Sequence, residues 1–185
     1  MKILRAPVPY LFPVPVVLVS CRTKDGLDNI ITIAWAGNIC SEPPMISISI
    51  RPSRFSYRII KASGEFAVNI PSREMLEKVD WCGTHSGRDF DKFKETGWKK
   101  LTAQKIAVSL IEECPVNLEC RVKSSYLLGT HEIFLAEILN IQIEESCLDE
   151  ENRIIVKKIE PISYIGHQYF SIQDKLGDYG FVLKK

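Results

Sequence analysis

The stretch with most chemical character runs Ser49-Ile50-Arg51-Pro52-Ser53-Arg54-Phe55-Ser56-Tyr57. It sets two arginines among several hydroxyls, where a strand reads as ending and a helix as starting. A helix N-terminus offers unpaired N–H groups and a favourable dipole, and arginine adds a fork of donors, so the combination suits a phosphate. A capped helix with solvated arginines would use the same residues. A second stretch, Thr84-His85-Ser86-Gly87-Arg88-Asp89-Phe90-Asp91-Lys92-Phe93, is a compact turn able to close over a ligand with mixed polar and apolar contacts. A plain charged turn would leave the neighbouring Phe90 and Phe93 unexplained. The third, Thr32-Ile33-Ala34-Trp35 with Asn38 and Ser41-Glu42-Pro43-Pro44 beyond it, ends a strand in small residues and one aromatic, so a flat ligand can approach the backbone. A Trp35 buried in the core is the competing reading.

The elements that would position these segments are mostly strands. Val14–Cys21 is a nearly continuous apolar run, suited to a strand buried on both faces. Lys24-Asp25-Gly26 is a hairpin signal, because Asp-Gly tolerates φ > 0, and Ile30–Trp35 reads as the returning strand. Met45–Arg51 alternates with period two, Ile46, Ile48 and Ile50 on one face. Ser53 is expected to cap a helix that carries Phe55, Ile59 and Ile60 inward and stops at Gly64. Glu65–Ile70 returns to strand, Ser72 caps a short helix to about Asp80, and a third helix spans Asp89–Thr96 before Gly97. Val116–Val122 and the long His131–Ile143 are strands joined through Leu128-Gly129-Thr130, and the acidic Glu144–Asn152 is a solvated loop. The pattern predicts a mainly β fold, an antiparallel barrel capped by short helices in a single domain over residues 1–185. A lipocalin-like or oligonucleotide-binding barrel has the same strand count.

Among 185 residues, 24 basic and 23 acidic side chains leave a net charge of +1. That balance lacks the basic face a nucleic-acid or membrane surface needs. No apolar run reaches the length of a membrane span, and prolines interrupt the first fifteen residues, unlike a signal peptide. A cytoplasmic protein is expected. The six cysteines contain no C-x-x-C pair, and with three scattered histidines they make no metal pattern; buried, reduced thiols are expected.

Taken in order, T-x-A-W…PP…S-x-S-x-R-x-S-R-x-S-Y, S-G-R-D-x-D-K-F and L-E-C-x-V…H-x-x-F-x-x-E-I resemble the flavoredoxin branch of the flavin-reductase-like proteins, from about Pro15 to Ile143. Pro161-Ile162-Ser163-Tyr164, Tyr169 and Leu176-Gly177 continue the likeness more weakly. The resemblance implies a Greek-key split barrel that binds FMN as a homodimer, with flavin at or near the subunit interface. It implies that Thr32, Ile33, Ala34 and Trp35 line the isoalloxazine, largely through backbone groups, with Asn38 adding a contact. It further implies that Ser49, Ile50, Arg51, Ser53, Ser56 and Tyr57 hold the phosphate and ribityl chain, and that Ser86, Arg88 and Lys92 complete the anion site or cover the flavin edge. His131 either faces the flavin or is a barrel residue; His85 and His167 carry no assignment.

Flavin carries the hydride chemistry itself, so no catalytic side chain is named. The expected function is electron relay through bound FMN, with a redox protein or NAD(P)H as donor. The alternatives are an NAD(P)H-dependent flavin reductase supplying a partner monooxygenase, and a non-redox small-ligand barrel.

Overall fold

The computed structural model describes residues 1–172 and 174–183. In chain order the elements are β1 (Val14–Pro15), β2 (Val17–Arg22), β3 (Asp28–Ile33), β4 (Ala36–Cys40), β5 (Met45–Ile50), α1 (Phe55–Ser63), β6 (Glu65–Ile70), α2 (Leu76–Thr84), α3 (Lys92–Thr96), β7 (Lys100–Leu101), β8 (Leu110–Ile111), β9 (Val116–Leu127), β10 (Glu132–Ile143), α4 (Val156–Ile159), β11 (Ile162–Ile165) and β12 (Gln168–Ser171). Seven strands form one antiparallel sheet in the order β3-β2-β6-β9-β10-β5-β4, with β1-β11-β12 as a second small sheet. The strands β5 and β6, joined through α1, lie on opposite sides of the β9–β10 hairpin, which is Greek-key connectivity.

The end strands β3 and β4 are joined by the short turn at Ala34 and Trp35, and the β4–β5 ladder extends into that turn, where the Ser49 N–H donates to the Trp35 carbonyl at 2.9 Å. β3 and β4 nevertheless remain its two free edges, so the expected barrel is a split one with no closing ladder. Its inner face buries Val19, Ile48, Phe66 and Phe134 against Ile59 and Ile60 of α1. Leu18 and Ile30 point the other way, onto Val79, Cys82 and Phe93. Strand β2 is thus covered on both faces, as its unbroken apolar run requires.

Several element boundaries differ from the sequence expectation. The run Val14–Cys21 divides at Pro15: β1 pairs with β11, and β2 joins the main sheet. β3 stops at Ile33, because Ala34 and Trp35 belong to the turn into β4. Neither Ser53 nor Ser72 caps a helix through its side chain. Arg54 is the N-cap of α1, and a 3-10 turn over Arg73–Met75 precedes α2, which runs on to Thr84. The Ser86–Asp89 turn delays the third helix to Lys92, where the Asp91 carboxylate accepts from the Lys94 N–H at 3.2 Å. Gly64 and Gly97 end their helices in the left-handed region, as expected. Five cysteines are buried and Cys40 is exposed, all as free thiols; burial pushes Cys21 and Cys120 up to about 12. No helix among the described residues is long and apolar enough to cross a membrane.

Candidate functional site

A cavity of about 110 Å³ lies where the start of α1, the outer part of β3, the end of α2 and the Ser86–Arg88 turn meet. Ser53, Arg54 and Ser56 reach it from the α1 side, Ser86, Gly87 and Arg88 from the turn, and Lys92 from α3. Because α1 has neither a side-chain cap nor an acidic residue in its first turn, its N-terminal dipole is unopposed beside the cavity. The turn is drawn against this helix by Arg88, whose Nη2 donates to the Ser53 carbonyl at 3.1 Å while its guanidinium lies 5.8 Å from the Phe55 ring centroid. Gly87 sits so close to β3 that a Cβ there would come within 1.9 Å of Asn29 Oδ1. Asn29 in turn donates through Nδ2 to the buried Ser56 hydroxyl at 2.7 Å.

Lys92 is only 3% exposed, and its Nζ donates to the Cys82 carbonyl at 2.6 Å. Burial pulls its pKa down to about 8, with the Arg54 charge acting in the same direction. Three cationic side chains and His85 border the cavity, and no Asp or Glu does. A buried ammonium without a carboxylate is expensive, so this donor set fits an anion.

At Ile31 and Arg54 the cavity adjoins a wider groove of about 300 Å³. Thr32, Ile33, Ala34 and Trp35 line it, facing Ser49, Ile50, Arg51, His131 and Tyr164. The Thr32 hydroxyl is turned toward α2, donating to the Val79 carbonyl at 2.5 Å. Trp35 is 45% exposed rather than core, and its ring packs on His131 with centroids 4.5 Å apart and the planes tilted by 33°. Burial and the nearby Arg51 charge both lower the His131 pKa. This groove too has no acidic lining residue.

The structure thus brings together twelve of the fourteen residues singled out from sequence, divided between two adjoining spaces. Ser53, Ser56, Ser86, Arg88 and Lys92 border the cavity, whereas Ser49, Ile50 and Arg51 border the groove with Thr32–Trp35. Asn38 and Tyr57 line neither. Asn38 is an exposed residue of β4, and the Tyr57 hydroxyl donates to Glu132 Oε2 at 2.6 Å. Sequence reasoning missed Asn29, Phe55, Cys82, His85 and Tyr164. Tyr164 sits inside the weaker C-terminal motif, and His85 had a usable signal in its place directly before Ser86. Asn29 and Cys82 had none, since their roles arise only where β3, α2 and the turn converge.

A split antiparallel sheet with a cationic, acid-free cavity adjoining an aromatic-edged groove defines a class of open-barrel fold whose cavity fits an anion and whose groove has room for a flat group. The chain belongs to the flavin reductase like domain family, whose model matches residues 10–173. Among solved structures it is similar to the flavoredoxin of Desulfovibrio vulgaris (Miyazaki F), with a TM-score of 0.91, 28% identity and full coverage of both chains. It is similar also to a flavoredoxin from Methanosarcina acetivorans, with a TM-score of 0.88 and 27% identity over 96% of this chain and 95% of that one. An uncharacterized protein of Archaeoglobus fulgidus is 30% identical over 155 residues, 84% of this chain and 86% of the relative.

Proposed function

We propose that the chain, as a single flavin-reductase-like domain, binds FMN along the cavity and groove and relays electrons through it as a homodimer. The observation that carries this reading is the buried, carboxylate-free cation of the cavity beside the flat, open shelf of Thr32–Trp35. Ser53, Ser56, Ser86, Arg88 and Lys92, with Arg54, hold the terminal phosphate. Ser49 and Arg51 attend the ribityl chain or ring edge, and Thr32–Trp35 orient the ring. Bound flavin supplies hydride and electron transfer. The chain's own part is to orient the ring, to keep carboxylates away from it, and to offer fixed backbone donors where charge develops.

One small cationic cavity favours FMN over FAD, whose pyrophosphate needs a second set of donors. The visible spectrum of the purified protein, followed by titration with FMN, riboflavin and FAD and then by NADH and NADPH, tests the reading. FMN should bind most tightly and give a yellow protein. Bleaching by a nicotinamide assigns the reductase form of the activity, and persistence of the colour assigns a carrier that needs a protein donor. A colourless protein that FMN cannot reconstitute overturns the proposal.

A further inference from the structure

Residues 1–12 form no helix or strand, and every one is exposed. Leu4 and Leu11 are 102% and 87% exposed, and Val8, Tyr10 and Phe12 still expose more than half their surface, so these apolar side chains find little cover on their own chain. Its side-chain contacts are internal, Arg5 reaching Tyr10 at 3.1 Å and Tyr10 meeting Phe12 edge-on. Pro7 and Pro9 each fix φ within the arm, and an extended arm of this length can span up to roughly 3 Å per residue. It leaves at the groove, because Val14 of β1 pairs with Tyr164, a groove residue.

The total area makes the same point. The chain exposes 12085 Å², whereas a compact monomer of 21.1 kDa should expose about 9,000 Å². The excess, about 3,000 Å² on one chain, is more than the roughly 1,000–2,500 Å² that each partner gives up to a permanent two-chain interface. Beside the groove lies an apolar rim that the fold leaves uncovered: Trp35, Leu127 and Leu128, with Leu128 in the turn leading to the His131 that packs on Trp35.

We propose that the arm of one copy crosses to a second copy of this chain and roofs its groove, packing Leu4, Val8 and Leu11 over the Trp35 rim. The arrangement is isologous: each arm starts beside its own groove and ends over the other, so the pair closes on itself. The groove is then incomplete in one chain, since its floor is present but the face above Trp35 is open to water. This rests on the flavin reading for the ring's position, though the arm contact itself does not need flavin.

The test compares the full chain, a chain lacking residues 1–12, and the full-length Leu4→Asp/Leu11→Asp variant, which keeps the arm's length should the truncated chain fail to fold. Acrylamide quenching of Trp35 in flavin-free protein is the first readout, Trp98 being buried and Trp81 half-buried. Quenching should rise in both variants. Mixing arm-less chain with full-length Trp35→Phe chain should restore protection, because the arm acts across copies. Affinities for FMN and riboflavin should fall together, by tenfold or more, the phosphate cavity being untouched. Unchanged quenching in both variants, or protection that mixing cannot restore, overturns the proposal. A full chain that binds no flavin yet shows the quenching pattern overturns the flavin reading and leaves the arm contact standing.

Discussion

Arg88 is held on the cavity by its bond to the Ser53 carbonyl, and the planar guanidinium keeps further N–H donors for a ligand. Hydrogen bonds to charged groups are worth roughly 1.5–3 kcal/mol, so Arg88→Ala should weaken FMN binding by about one to two orders of magnitude and leave riboflavin binding nearly unchanged. Arg51 borders the wider groove, so Arg51→Ala should affect both ligands alike; parallel titrations separate the two sites. Lys92 adds a pH dependence. Its folded pKa of about 8 lies below the ordinary value, so the free protein gives up this charge as pH rises through 8. Phosphate favours the charged form and raises the pKa in the complex. FMN affinity should therefore hold up to about pH 8 and fall above it, until the pKa of the complex is passed. Riboflavin should show no such fall, and Lys92→Met should abolish it for FMN. Calorimetry from pH 7 to 9.5 reads this, and a flat FMN profile in the parent protein would detach Lys92 from the phosphate.

Between elements, the site depends on how closely the Ser86–Arg88 turn approaches β3. Gly87→Ala would drive a methyl into Asn29, and through it disturb the Ser56 hydroxyl. Overpacking of this kind costs about 1–3 kcal/mol, so a lower melting temperature and at least tenfold weaker FMN binding should appear together. Helix α1 is tied down elsewhere, by Tyr57 and Lys61 meeting Glu132 at the start of β10. Hydrogen bonds from Lys61, Ser125 and Tyr57 hold the Glu132 carboxyl down to about 2. A depressed carboxylate contributes stability that is complete above its unfolded pKa and is lost as pH falls through the folded one. Melting temperature should drop between about pH 4.5 and 2, and Glu132→Gln should flatten that limb; an unaltered acid profile would show that the tie contributes nothing.

For the whole molecule, dimer formation and flavin retention are expected to be linked, since a ligand bound only by the assembled state stabilises it by mass action. Serial dilution of the FMN-loaded protein should release flavin and single chains over the same concentration range, followed by flavin fluorescence and light scattering. Flavin held by single chains at nanomolar protein would instead place the complete site within one copy. The same coupling predicts that added FMN raises the melting temperature of the full chain more than that of the arm-less one.

The strands were legible in the sequence because their periodicity is a local property. Met45–Ile50 alternates and is buried on alternate positions, and Asp25-Gly26 turns β2 into β3 with Gly26 at φ +91°. The residue types around Ser49–Tyr57 and Ser86–Lys92 were compatible with anion chemistry but equally with a capped helix and a charged turn, so the sequence marked the segments without deciding between those readings. What sequence could not supply was direction and neighbourhood. Tyr57 and Ser56 are adjacent in the chain, yet one turns to Glu132 and the other to Asn29, because successive helical residues point about 100° apart. Trp35 looked as suitable for a core as for a ligand, and only its place in the turn between the two free edges exposes it. The separation of a small cationic cavity from a wider groove was likewise decided by tertiary structure. It follows from the Gly87 approach to β3 and the burial of Lys92, contacts between segments some sixty residues apart.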